Sequence, residues 1–132
     1  MSEVQRWLRY AREDLTAAEA LIAQETVAPR HVCWLAQQAA EKALKAVLVF
    51  VQIDFPRRHD LDALRNLIPV DWSLKEEHRD LAVLTEWAVE ARYPGEWPEP
   101  TKEDARSALE QARAICASVS ADLAKRGFPV AD

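Results

Sequence analysis

The stretch Gln37-Gln38-Ala39-Ala40-Glu41-Lys42-Ala43-Leu44-Lys45-Ala46 decides the fold. Gln37, Glu41 and Lys45 recur at i, i+4 and i+8, so they stack along one face of a helix, with Gln38 and Lys42 beside them. Ala36, Ala39, Ala40 and Ala43 occupy the other faces, where small side chains let neighbouring backbones approach closely. A surface helix carries a wider polar face than this. The pattern predicts a central helix, covered on most sides and marked by a narrow polar stripe.

Working outward, Pro29 suits the first turn of this helix. The helix runs to about Gln52, with Val32, Leu35, Ala39, Ala43, Val47 and Phe50 toward the core. Pro56 is the expected stop, since a proline blocks continuation. Upstream, Ser2 and Gln5 form a capping box, and Val4, Trp7, Leu8, Ala11, Leu15, Ala18 and Ile22 make one apolar stripe reaching about Gln24. Downstream, Leu61, Leu64, Leu67 and Ile68 mark a short helix ended by Pro69. Ser73 and Glu76 read as a second capping box, opening a helix through Leu74, Leu81, Leu84 and Ala88 to Pro94-Gly95. Pro94, Pro98 and Pro100 stiffen the link to Thr101. Thr101 caps the last helix, with Glu103 and Asp104 in its first turn. Gly127 is placed as its C′ residue, with Pro129 beyond. Short connections between such helices predict an all-α protein, an antiparallel up-and-down four-helix bundle with one additional short helix. Residues 1–132 make one domain, with a loose C-terminal tail over 126–132.

Composition agrees. The chain has 132 residues, and its 49% apolar and 30% charged content suits a globular domain. Only two glycines occur, Gly95 and Gly127, both where a helix cannot continue. A net charge of −5 argues against general nucleic-acid binding, which needs clustered Lys and Arg. Cys33 and Cys116 have no metal-ligand spacing, so no zinc site or other cofactor is expected. The N-terminal residues lack the apolar core of a signal peptide, and the longest apolar runs are too short to span a membrane. The expected location is the cytoplasm. Five tryptophans exceed what the core needs, so Trp34, Trp87 and Trp97 are candidate interface anchors.

Several separated pieces also resemble a known family, in the same order. They are Trp7-Leu8 with Ala11, Asp14-Leu15 and Ala18; the Gln37–Ala46 stretch; Pro56, His59, Leu61 and Leu64; Arg92-Tyr93-Pro94; and Glu103-Asp104-Ala105 with Ala108-Leu109 and Ala112. Together they are similar to the HEPN domain, the higher-eukaryote and prokaryote nucleotide-binding domain. The resemblance implies a homodimer and a nucleotide ligand. It also implies a partner, a minimal nucleotidyltransferase, within a two-component, toxin–antitoxin-like system. It further implies a polar pocket built from Glu41, Lys42, Lys45, His59, Arg92 and Tyr93.

Catalytic members of the family carry an Arg, four to six intervening residues, then a His. Here the required positions hold Gln24, Glu25 and Thr26 before His31. They hold Gln52, Ile53 and Asp54 before His59, and Asp71, Trp72 and Ser73 before His78. No arginine stands at any of them, so no catalytic residue is assigned. Arg57-Arg58-His59 can hold a phosphate by charge; equally, His59 and Asp60 can cap the short helix while the arginines stay solvated. Arg92 and Tyr93 offer a cation and a stacking face, or simply a helix stop. The reading is a non-catalytic HEPN protein that binds a nucleotide, a partner nucleotidyltransferase, or both. The alternatives are a ribonuclease toxin with a degenerate site and a purely structural helical adaptor.

Overall fold

A computed structural model describes residues 2–57, 59–88, 95 and 98–129. Six helices lie in it: α1 (Glu3–Ile22), α2 (Pro29–Phe50), α3 (Leu61–Leu67), α4 (Leu74–Glu77), α5 (Ala82–Glu86) and α6 (Lys102–Lys125). No strand occurs among the described residues. The chain is all-α and the up-and-down bundle holds. Three arms are the long helices α1, α2 and α6, and the fourth is built from the short ones.

The helix ends show why these segments fold locally. Ser2 and Gln5 form the expected box: the Gln5 amide donates to Ser2 Oγ, and Gln5 Oε1 accepts from the Ser2 amide at 2.8 Å. Thr101 and Asp104 do the same for α6. Gly127, at φ +79°, closes α6 as predicted, with Phe128 N–H donating to the Leu123 carbonyl. The end of α2 differs from the prediction. It stops at Phe50, well before Pro56, because Gln52 turns into the left-handed region at φ +59°. The Gln52 and Ile53 amides then donate back to the Val49 and Leu48 carbonyls. A non-glycine residue there costs about 1 kcal/mol, which the two closing hydrogen bonds offset.

The central role of α2 is borne out. Ala36, Ala39, Ala40, Ala43 and Ala46 are all buried. Their small side chains let α1 and α6 both pack closely on α2. Trp7 and Asp14 of α1 meet Lys45 and Lys42 of α2, so those two helices are antiparallel. Ala39 and Phe50 of α2 meet Cys116 of α6 and Phe128 just beyond it, so those two helices run parallel. That diagonal contact leaves α1 and α6 less tightly packed. A groove of about 370 Å³ opens between them, floored by Ala43 and Cys116 and crossed by the Glu19–Arg113 ion pair.

The predicted long helix from Ser73 is interrupted. Ser73 has helical φ and ψ and makes no cap; its hydroxyl donates instead to Asp122 Oδ1 of α6. The same buried carboxylate accepts from the Leu74 amide at 2.9 Å. After α4 the backbone is pulled out of helical geometry by α3. Arg65 Nη1 donates to the His78 and Arg79 carbonyls, and Asp62 accepts from the Leu81 amide. Those groups cannot also serve a helical ladder. Leu74, Leu81, Leu84 and Ala88 are nevertheless buried, as their spacing predicts.

The tail also begins later than expected. Arg126 stacks on Trp72, 3.7 Å from the ring centroid, and donates to the Asp122 and Asp71 carbonyls. Phe128 meets Phe50 edge-on at 5.8 Å. These residues pin the end of α6 rather than trail from it. Residues 130–132 lie outside the described residues.

Candidate functional site

The polar stripe of α2 folds into a closed network centred on Glu41. Lys45 Nζ donates to Glu41 Oε2 at 2.8 Å. Gln37 Nε2 donates to Oε1 at 3.1 Å, and His59 Nδ1 stands 2.8 Å from that same oxygen. The helix supplies Gln37 and Lys45 by its four-residue repeat. His59 arrives from the segment after α2, and Gln37 Nε2 holds it there by donating to the His59 carbonyl at 3.0 Å. Asp60 next to it caps α3 through the Ala63 amide, which fixes where the turn lies. The cap belongs to Asp60 alone; His59 faces α2.

The carboxylate is almost fully buried, with 5% of its side chain exposed. Burial alone pushes its pKa up. The hydrogen bonds from Lys45, His59 and Gln37 outweigh that and hold it below the ordinary glutamate value of 4.5. Glu41 is therefore an ionised, acceptor-only group with every donor converging on it. Lys45 is enclosed too: its ammonium lies 5.6 Å from the ring centroids of both Trp7 and Phe55, which meet each other edge-on. Such placements add a cation–π attraction of about 1 kcal/mol.

The predicted residues therefore divide. Glu41, Lys45 and His59 come together. Lys42 does not: one residue beyond Glu41, it lies about 100° round the helix and pairs with Asp14 of α1 at 2.5 Å. Lys45 is in the cluster, but as the partner of Glu41 under two rings, so it does not offer an open cation to a ligand. Arg57 is exposed, two residues before His59 in the chain. Arg58, Arg92, Tyr93 and Trp97 lie outside the described residues. Trp34 is exposed on α2 and Trp87 half-buried against the core. At the surface the network presents the edge of His59, whose side chain is 46% exposed.

Three participants were not assigned from sequence. Gln37 was legible as part of the stripe, but its bridge to the His59 backbone was not. Trp7 and Phe55 carry no local signal, because each reaches Lys45 only through the tertiary fold. No group of three His, Cys, Asp or Glu able to hold a metal ion occurs among the described residues. No helix among them is long and apolar enough to cross a membrane.

The comparisons with known proteins agree with this architecture. TT1696 from Thermus thermophilus superposes with a TM-score of 0.73 at 30% identity, over 93% of this chain and 100% of that one. ST0689, described as an archaeal HEPN homologue, superposes with a TM-score of 0.70 at 26% identity, over 93% and 99%. No curated protein matches the sequence. The family model of the HEPN domain matches residues 4–122. The chain belongs to the HEPN domain family.

Proposed function

We propose that this HEPN protein is non-catalytic and binds a nucleotide, acting with a minimal nucleotidyltransferase partner in a two-component system. The observation that carries the ligand half is the His59 edge, anchored to a buried ionised carboxylate, with the exposed Arg57 two residues before it in the chain. The guanidinium supplies a fixed positive charge and the pre-positioned imidazole a hydrogen-bonding edge, a small surface suited to one phosphate group rather than a polyanion. The overall charge of −5 supports the same restriction. The absence of any arginine at the spacing of the ribonuclease motif supports the non-catalytic half. The partner half rests on family resemblance, and the exposed Trp34 is its candidate anchor.

Calorimetry with ATP and GTP tests the ligand half. Binding in the micromolar to millimolar range is expected, weakened about tenfold by Arg57→Ala or His59→Ala, with the far-ultraviolet circular dichroism unchanged. No heat at millimolar nucleotide refutes it and leaves the adaptor. Pull-down with the product of an adjacent nucleotidyltransferase reading frame tests the partner.

One observation favours a second reading. A buried carboxylate behind an imidazole is also how a general acid or base is held in place. Metal-independent RNA cleavage by the purified protein, abolished by His59→Ala, would replace the non-catalytic reading with a degenerate ribonuclease.

A further inference from the structure

Trp34 stands on the same line of α2 as the buried polar centre. At 3.6 residues per turn, positions i, i+7 and i+11 fall within about 20° of one another, so Trp34, Glu41 and Lys45 share one face. Their surroundings differ along it. Trp7 of α1 and Phe55 and His59 of the segment after α2 cover the centre. The cover ends at Gln37, which is buried and donates to the His59 carbonyl at 3.0 Å. Trp34 is three residues nearer the helix start, roughly 5 Å along the axis from the residue that clamps His59. There the face is open: Trp34 is 44% exposed, Arg30 and His31 are exposed, and Gln38 is half-buried. Trp34 lies outside the apolar core, and among the described residues no ring or cation stacks on it. A single exposed aromatic is ordinary. This one occupies the open end of a face whose other end is a closed polar network.

We infer that Trp34 is the base platform of the nucleotide site: its indole face stacks the ring of a purine nucleotide whose phosphate is held at the His59 end of the same helix face. The inference rests on the nucleotide reading and adds which part of the nucleotide this stretch of α2 recognises. Stacking needs no hydrogen-bond code, because every base has a π-face, and it strengthens with the area covered. It reads the face of the ring and not its edge, so adenine and guanine are accepted alike and the smaller pyrimidines bind less well. An uncharged contact also suits a chain of net charge −5, in which phosphate attraction alone gives little affinity. Trp34 is then the specificity-determining residue that separates a nucleotide from a bare polyphosphate.

Calorimetry with ATP, GTP, CTP and inorganic tripolyphosphate tests this, since tripolyphosphate offers the phosphates without a base. The wild type should bind ATP and GTP alike, CTP more weakly, and ATP about 10- to 100-fold more tightly than tripolyphosphate. Trp34→Leu should bring ATP down to the tripolyphosphate level and leave tripolyphosphate unchanged. Trp34→Phe keeps a ring and should retain part of the difference. Because Trp34 lies outside the core, both variants should unfold at the wild-type urea midpoint. Equal binding of ATP and tripolyphosphate, or an unchanged ratio in Trp34→Leu, overturns the platform while leaving the phosphate site in place. Binding of neither ligand refutes the nucleotide reading and the platform with it. An unchanged ratio in Trp34→Leu together with lost capture of the nucleotidyltransferase overturns the platform and assigns the ring to the partner.

Discussion

Replacing Lys45 by Met removes one charge from a buried pair while keeping most of the side chain's apolar length. Glu41 and Lys45 stand 2.8 Å apart, with 5% and 11% of their side chains exposed. Removing one partner of a buried pair costs about 3–5 kcal/mol, because the other charge stays in a poorly solvating interior. Gln37 and His59 still donate to Oε1, so only the Oε2 lone pairs are orphaned and the lower end applies. Methionine retains contact with the rings of Trp7 and Phe55, so the lost cation–π attraction adds no more than about 1 kcal/mol. The expected loss is about 3 kcal/mol at pH 7, which lowers Tm by roughly 12 °C for a domain of this size. Urea unfolding followed by tryptophan fluorescence measures it as a lower midpoint with unchanged slope. The double variant Glu41→Gln with Lys45→Met removes both charges and should recover to within about 1 kcal/mol of the wild type. A single-variant loss under about 1 kcal/mol, or a double-variant loss equal to the sum of the singles, would falsify the view that the pair is a desolvated, mutually dependent unit.

Three further outcomes follow from other parts of the molecule. Asp122→Ala orphans the Ser73 hydroxyl and the Leu74 amide together, so it should cost about 3 kcal/mol; a loss confined to a few tenths would mean water replaces the carboxylate freely. Acid should weaken the fold in two stages. Burial holds the His78 pKa below 6.5, against the opposing pull of Glu77 and the Ala114 carbonyl, so the unfolded chain takes up that proton first. Stability then declines as pH falls from 6.5 toward the lower folded value. Glu41, held below 4.5, contributes in full above 4.5 and loses its contribution as pH drops through its folded value. Urea midpoints across that range check both stages, and His78→Gln should flatten the upper one. Finally, burial pushes the Cys33 and Cys116 thiols up to about 12. At pH 8 only about one thiol in ten thousand is ionised, so native alkylation by iodoacetamide should run at least about 100-fold slower than in urea; equal rates would show that the bundle opens readily.

What the sequence revealed and what it hid divide by distance along the chain. The box at Ser2, the cap at Thr101 and the glycine closure at Gly127 involve partners within a turn or so, and residue type at short spacing exposes them. The burial of the α2 alanines was legible for the same reason. The interruption after α4 was not, because its cause is the Arg65 side chain and the Asp62 carboxylate on another helix. Ser73 illustrates the point: its spacing to Glu76 fits a cap, yet Asp122, distant in sequence, competes for the hydroxyl and wins. Lys42 was misplaced because a stripe says which residues neighbour one another on a helix, not that Asp14 waits across the α1 interface. The Glu41–Lys45 pair was visible as an i, i+4 contact, but its burial changes it from a minor surface term to a major internal one.

The network around Glu41 also bears on how the molecule is made. Its described members are Trp7 on α1 and the continuous run from Gln37 to His59. None comes from α6. Helices α1 and α2 are joined by a short loop and pair locally, the kind of contact that forms fast. A chain still being synthesised can therefore assemble this part of the site on the α1–α2 hairpin before its last helix has left the ribosome. Docking of α6 then adds the Asp122 anchor and the shielding of Ala39 and Ala43. Folding of the polar centre and completion of the core become separable events.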